Sequence, residues 1–384
     1  MNTSRKFLTI TGFLALRILV GIIIILVALH WLGLINAWLF PLNAVSVLLI
    51  SVSLSCLMLA QIMQKPKQQN QKSLRQPTSK KAKRRWQNRL LSLLITLLIF
   101  LNIPTYFIAY HMTHVRVAGQ LGIGIPKPRN SSIPSDRGLP YITHKIPVSQ
   151  SQWLEAWLIP SQIGSSKGTV LLFPGNRGTK GSQLLAPAQG FTRLGYDSLL
   201  VDFQGVGGSS GHTTTIGIKE AQDVVTALRY SQELNFKPPF ILYGVSMGSA
   251  AILRAISVNQ IKPDAVILEL PFARLLDAVK SRLKYHKIPS FIPASLLVFW
   301  AGVQHGFNGF SHNPIDFAQD VNCPALVIHG EQDKWTTVEE IKALFQNLKG
   351  PKQLIISPDV GHHQLIGIHR TLWNSTLEKF LNSL

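Results

Sequence analysis

Ser246 sits in Gly244-Val245-Ser246-Met247-Gly248, a G-x-S-x-G pentapeptide. The apolar run Phe240-Ile241-Leu242-Tyr243 precedes it, and a helical pattern, 249–256, follows it. The pentapeptide alone is a weak signal. Between a strand and a helix it reads as a sharp turn that lifts a serine hydroxyl over the end of a sheet, where it can attack a carbonyl carbon. Glycine is needed on both sides because a bulkier neighbour would clash in so tight a turn. Serine is a poor nucleophile until a base takes its proton, and a histidine held by a carboxylate is the usual base. Downstream, His362 and His363 are candidates for the base. Asp333, Glu331 and Glu269 are candidates for the acid. Both classes of residue recur near the ends of apolar runs, where a parallel sheet would bring them together.

From about residue 141 the chain alternates short apolar runs with helical patterns. Residues 141–148 and 153–159 read as a pair of strands. Runs at 168–173, 197–203, 240–243, 265–268, 325–328 and 353–356 read as further strands, most followed by a helix. Continuous apolar strands separated by helices imply a parallel sheet covered on both faces.

The remaining third differs in composition. The protein has 384 residues and a formal net charge of +20, but its first acidic residue is Asp136. Sixteen of the 38 Lys and Arg precede that position; the 22 that follow face 18 acidic residues, a net of +4 (22 − 18). Three apolar segments, 18–35, 45–63 and 90–110, each approach the ~20 residues that cross a bilayer. Trp31, Trp38, Trp86 and Tyr110 suit interfacial depths, and Pro104 suits a kinked span. Arg17, at the leading edge of the first segment, reads as a snorkelling side chain. A cleaved signal peptide does not fit, because the first segment is long, lacks a small-x-small site and is followed by two more.

Residues 64–89 carry ten basic residues and no acidic one, a composition that predicts a disordered cytoplasmic loop. Three spans then place the rest of the chain on the extracytoplasmic side. The expected organisation is a membrane domain (1–112), a Pro/Gly-rich linker (113–139) and a catalytic domain (140–384). An integral, multi-pass protein follows, in contact with membrane lipids. The basic residues lie in this loop between apolar segments, so a nucleic-acid partner is not expected. The two cysteines, Cys56 and Cys323, form no disulfide framework.

Five motifs in one order make the soluble part recognisable. They are Pro174-Gly175-Asn176-Arg177-Gly178, Asp202-Phe203-Gln204-Gly205-Val206-Gly207-Gly208-Ser209-Ser210-Gly211, the Ser246 pentapeptide, His329-Gly330-Glu331-Gln332-Asp333 and Gly361-His362. From about Tyr141 onward the chain resembles the α/β-hydrolase superfamily. Within it, the resemblance is to membrane-anchored serine hydrolases of the Bem46 and ABHD12/13-like type. Two positions depart from the pattern: Pro174 stands where that family has histidine, and Gln204 where it has arginine.

The resemblance implies an α/β-hydrolase fold; the long insertion adds an expected helical lid, and the apolar segments add three expected transmembrane helices before it. The resemblance also implies a chain order of Ser246, Asp333 and His362 as nucleophile, acid and base. Glu269 remains the rival acid and His363 the rival base; Glu331 stands two residues too early. His329 is expected to pack beneath the acid turn, and Asp202 to order its own glycine-rich turn. The backbone N–H groups of Met247 and Asn176 are the expected oxyanion donors. Asn176 could instead serve only as a loop hydrogen-bonder.

Residues 271–322 separate two strands by more than a crossover helix needs. Rich in aromatic and aliphatic residues, they read as a helical lid over an acyl pocket, or else as packing on the crossover. The glycine-rich turn lacks the Gly-Lys-Ser/Thr of a phosphate loop, and neither a cofactor nor a metal is expected. The expected activity is hydrolysis of a carboxylic ester or thioester of a small-molecule or lipid substrate. The alternatives are a serine amidase or peptidase of the same fold, or a catalytically silent membrane scaffold.

Overall fold

The computed structural model describes residues 79–116 and 122–384. They divide between two compact units, with the boundary between Phe107 and Ile108. The apolar segments 18–35 and 45–63 lie outside the described residues. The third lies within helix α1 (Ser79–Thr113), which has Pro104 inside it. Among the described residues, no helix is long and apolar enough to cross a membrane. α1 begins inside the segment expected to be a loop. Beyond Pro77, a run of Lys, Arg and Ala without Gly or Pro supports helix.

Strands β1 (Val115–Arg116) and β2 (Ile125–Pro126) pair in parallel within the stretch expected to be a linker. That stretch is also tied down by side chains: Lys127 Nζ donates to Ser209 O at 2.6 Å, and Asn130 Nδ2 to Asp202 at 3.1 Å.

The second unit is built on one eight-stranded sheet. In chain order it uses β3 (Ile142–Pro147), β4 (Trp153–Ile159), β5 (Thr169–Phe173), helix α2 (Leu185–Arg193), β6 (Asp197–Val201) and α3 (Glu220–Glu233). Then come β7 (Phe240–Val245), α4 (Met247–Asn259), β8 (Ala265–Glu269), α5 (Leu275–Tyr285), α6 (Phe291–His305) and β9 (Ala325–Gly330). The chain ends with α7 (Val338–Asn347), β10 (Lys352–Ser357), α8 (Leu365–Ile368) and α9 (Arg370–Leu381). The strand order is β10-β9-β8-β7-β5-β6-β4-β3. β3 and β4 form the expected pair and run antiparallel, β4 runs antiparallel to β6, and all other neighbours are parallel.

Alternate residues of the central strands feed two cores. Leu171, Leu242 and Val266 join α3 and α4 on one face. Val170, Ile241 and Ile267 join α2 and α9 on the other. Both faces being covered explains why these strands read as continuous apolar runs.

The order reverses at β5, which has β6 on one side and β7 on the other. In such sheets the crevice outside the carboxyl ends at this reversal is where ligands bind. Here the segments leaving β5 and β7 are the Asn176 loop and the Ser246 turn. α5 and α6 form the insertion between β8 and β9. α6 carries Phe291, 78 % exposed, and Val303, 55 % exposed.

Candidate active site

Ser246 lies between β7 and α4 at φ 51°, ψ −106°. Few non-glycine residues adopt such a backbone, which costs on the order of 1–3 kcal/mol. Two hydrogen bonds hold it: Ser246 N–H donates to Glu269 O at 2.8 Å, and Ala250 N–H to Ser246 O at 3.1 Å. The flanking glycines are required by close approach. A Cβ on Gly244 would lie 2.5 Å from the Gly248 carbonyl carbon, and one on Gly248 would lie 2.5 Å from Phe173 O. The start of α4 is therefore pressed against the end of β5, where any side chain would force it away.

The hydroxyl meets an imidazole. Ser246 Oγ is 3.0 Å from His362 Nε2, and His362 Nδ1 is 2.6 Å from Asp333 Oδ2. Asp333 follows β9, and its second oxygen accepts the Trp335 N–H at 2.7 Å. Burial alone would raise the Asp333 pKa. The hydrogen bond and charge interaction with His362, with the Trp335 N–H, outweigh it and hold the carboxyl below its ordinary value. An ionised Asp333 accepts a hydrogen bond from the His362 Nδ1–H, which leaves Nε2 free to accept from serine. The arrangement can therefore move the serine proton to His362 as the hydroxyl attacks.

The rival assignments go elsewhere. Glu269 is fully buried, paired with the Tyr243 hydroxyl, and accepts the Leu365 N–H at 2.6 Å and Trp373 Nε1 at 3.4 Å. It ties β8 to α8 and α9, and burial raises its pKa. His329 is buried with Nε2 3.2 Å from Thr336 O, and burial lowers its pKa. It packs under the acid turn, 3.9 Å from Asp333. His363 is not part of the Ser246–His362–Asp333 chain.

On the other side of Ser246 runs the loop after β5. A Cβ on Gly175 would lie 3.5 Å from Ser246 Cβ, so this loop lies beside the serine. Gly178 N–H closes a turn on Gly175 O at 2.9 Å, with Arg177 at φ 61°. Asn176 occupies the first corner, where its N–H takes no part in the turn's closing bond. Met247 opens α4, and its N–H has no acceptor inside the helix. These are the two N–H groups expected from the sequence as oxyanion donors.

The supports of this loop were not singled out from the sequence. Gln183 Oε1 accepts the Gly175 N–H at 2.7 Å. Lys180 is fully buried and pairs with Asp202 and, at 2.8 Å, with Glu155. Its backbone N–H also donates to Asp202 Oδ1 at 2.7 Å. Asp202 accepts the Gly208 N–H at 3.0 Å, so it orders its own turn as expected and braces the next loop as well. A buried lysine in sequence is an unusual residue that could have flagged this ion pair, but its partners lie 22 and 25 residues away.

Gln204, where the resembled family has arginine, hydrogen-bonds the buried Asp223 through its N–H at 2.9 Å and its Nε2 at 3.1 Å. Burial, with the neighbouring Glu220 charge, pushes the Asp223 carboxyl up to about 7 against those hydrogen bonds. Cys323 is half-buried with its thiol pushed up to about 11 by burial; Cys56 lies outside the described residues. Among the described residues, no cluster of His, Cys, Asp or Glu could hold a metal ion.

The sheet order, the turn at Ser246 and the acid and histidine loops define the class: the chain has an α/β-hydrolase fold. Residues 164–314 match the family model described as serine aminopeptidase, S33, and residues 311–384 match that of the PhoPQ-activated pathogenicity-related protein. Among curated proteins, the chain is similar to the uncharacterized protein YqkD of Bacillus subtilis, at 27 % identity over 50 % of this chain and 65 % of that one. It is similar to the lysophosphatidylserine lipase ABHD12 of Danio rerio, at 25 % identity over 56 % of each chain. It is also similar to the protein bem46 of Schizosaccharomyces pombe, at 26 % identity over 56 % of this chain and 68 % of that one. The chain thus spans between about half and two-thirds of these relatives. Among solved structures, the esterase Pf2001 of Pyrococcus furiosus shares the fold, with TM-score 0.57, 22 % identity and coverage of 67 % of this chain and 96 % of that one.

Proposed function

We propose that this protein is a membrane-anchored serine hydrolase that cleaves carboxylic ester or thioester bonds of acyl or lipid-like substrates. The observation that carries the reading is the unbroken chain Ser246 Oγ–His362 Nε2, His362 Nδ1–Asp333 Oδ2, at 3.0 and 2.6 Å. Ser246 Oγ attacks the acyl carbon while His362 Nε2 takes its proton. The oxyanion that forms is stabilised by the N–H groups of Met247 and Asn176. As the intermediate collapses, the alcohol or thiol leaves with the proton from His362, and the acyl group stays on Ser246. Water, deprotonated by His362, then releases the acid and returns the serine. Asp333 stabilises the imidazolium throughout.

The lipase and esterase names of the relatives support an ester substrate. The exposed apolar side chains of α6 and the apolar segments of the sequence support a lipid surface nearby. The basic 64–89 segment supports a multi-pass anchor with that segment cytoplasmic, and the hydrolase domain is extracytoplasmic only if the 90–110 segment crosses as well. The family model named for a serine aminopeptidase favours one alternative, amide cleavage by the same residues.

The test is a substrate panel on the full chain: matched ester, thioester and anilide of one acyl group. Ester and thioester turnover well above anilide turnover supports the reading; anilide turnover alone would replace it with an amidase. For topology, single cysteines at Ser73 and at the exposed Ser165, in a background lacking Cys56 and Cys323, meet an impermeant thiol reagent on intact cells. Labelling at 165 and protection at 73 is expected. The reverse pattern would invert the orientation.

A further inference from the structure

An apolar cavity of about 70 Å³ opens from the loop that carries Asn176. Nine of its thirteen lining residues are apolar. α5 and α6 supply Leu275, Val279 and Leu297, among others. The opposite wall is less expected: Ala109, Met112 and Thr113, from the last turns of α1. These belong to the same compact unit as the hydrolase core.

The wall is built into the domain. Thr214 N–H donates to Thr113 O at 2.9 Å, and Val115 N–H to His212 O at 2.7 Å. The His114 ring stacks on Tyr110 at 3.7 Å and on His305 of α6 at 4.8 Å. Ala109 is 2 % exposed, and the Thr113 hydroxyl is satisfied by Ala109 O at 2.8 Å. The wall therefore presents no unmet polar group to the cavity. Asn176 also lines the cavity, and its buried Oδ1 has no hydrogen-bond partner among the described residues.

We infer that this cavity receives the acyl chain of the substrate, and that Ala109 and Met112 of α1 set the chain length accepted. This rests on the hydrolase reading above. A carbonyl held at the Asn176 N–H would direct its apolar tail past Asn176, away from the leaving group and into this space. The small side chain of Ala109 leaves the cavity open, and the Met112 side chain narrows it. The helix that enters the domain is thus also part of its substrate site, and a chain starting after it would lose chain-length selection.

The experiment measures kcat/KM of the full-length protein for acetyl, butanoyl and hexanoyl esters of one chromogenic alcohol, with Ala109→Phe and Met112→Ala beside wild type. Ala109→Phe is expected to lower the hexanoyl-to-acetyl ratio by about tenfold or more, as filling a hydrophobic subsite does. Met112→Ala is expected to raise that ratio. Ratios unchanged in both variants would overturn the inference and leave the hydrolase reading standing. If Ala109→Phe loses acetyl turnover as well, Met112→Ala alone decides, and an unchanged ratio there overturns the inference. Absence of ester turnover by wild type on every chain length would instead overturn the hydrolase reading, and this inference with it.

Discussion

The two sides of Ser246 are held in different ways. On one side, His362 and Asp333 stand on short loops at the ends of β9 and β10, and the serine turn is set by its own glycines and by the Glu269 carbonyl. Apart from the Glu269 carbonyl, every part of that side is local to a motif. On the other, the Asn176 loop is held by side chains from elsewhere: Gln183 on Gly175, and the buried Lys180 between Asp202 and Glu155. One side owes its geometry to backbone shape, the other to a buried ion pair. The first should fail chemically when changed. The second should fail by misplacing a donor or by unfolding.

The largest effects are expected on the first side. Ser246→Ala and His362→Ala should each cut ester turnover by about four to six orders of magnitude with an unchanged melting temperature. His363→Ala should remain near wild type in the same assay. Asp333→Asn should lower kcat by roughly 10⁴, because the amide favours the wrong imidazole tautomer. Asp333→Asn kinetics near wild type would remove the acid from the account.

The second side sharpens the contrast. Lys180→Met leaves Asp202 buried without its cation, and breaking a buried pair typically costs about 3–5 kcal/mol. Its signature is a lower melting temperature more than a lower kcat. Gln183→Ala frees the Gly175 N–H and should loosen the loop without unfolding it. We expect kcat to fall by about ten- to a hundredfold, less than removal of a donor itself, with fluorophosphonate still reaching Ser246. If Gln183→Ala matched Ser246→Ala, the division between the two sides would not hold.

The smallest effect on turnover concerns Asp223, whose change is read in stability. Burial pushes its carboxyl up to about 7 in the folded chain, from an ordinary value of 3.8. Between those values the unfolded chain has lost the proton that the folded chain still holds, so stability falls as pH rises from about 4 to about 7, then levels off. Asp223→Asn should flatten that part of a melting-temperature profile.

The strands, the serine turn and the acid and histidine positions were legible because each is a local pattern: an apolar run, two glycines, a carboxylate just past a strand. Glu269 competed with Asp333 in sequence because both end apolar runs. The fold separates them by directing Glu269 to Tyr243 and Trp373. Lys180 and Gln183 were not legible as loop supports. Their meaning depends on partners brought near only by sheet order and turn geometry. The same holds for Ala109 and Met112, which read as the end of an apolar segment and lie in the wall of a cavity. The helical start at Ser79 was masked by a basic composition that also suits a loop.

The central claim is that Ser246 is activated by His362 on the axis set by Asp333. The most direct test treats the full-length protein with a fluorophosphonate and locates the adduct by peptide mass spectrometry, for wild type, His362→Ala and Asp333→Asn. The account predicts a single adduct on Ser246 in wild type, with labelling strongly slowed in both variants. An adduct on another serine, or labelling of Ser246 at the wild-type rate without His362, would contradict it.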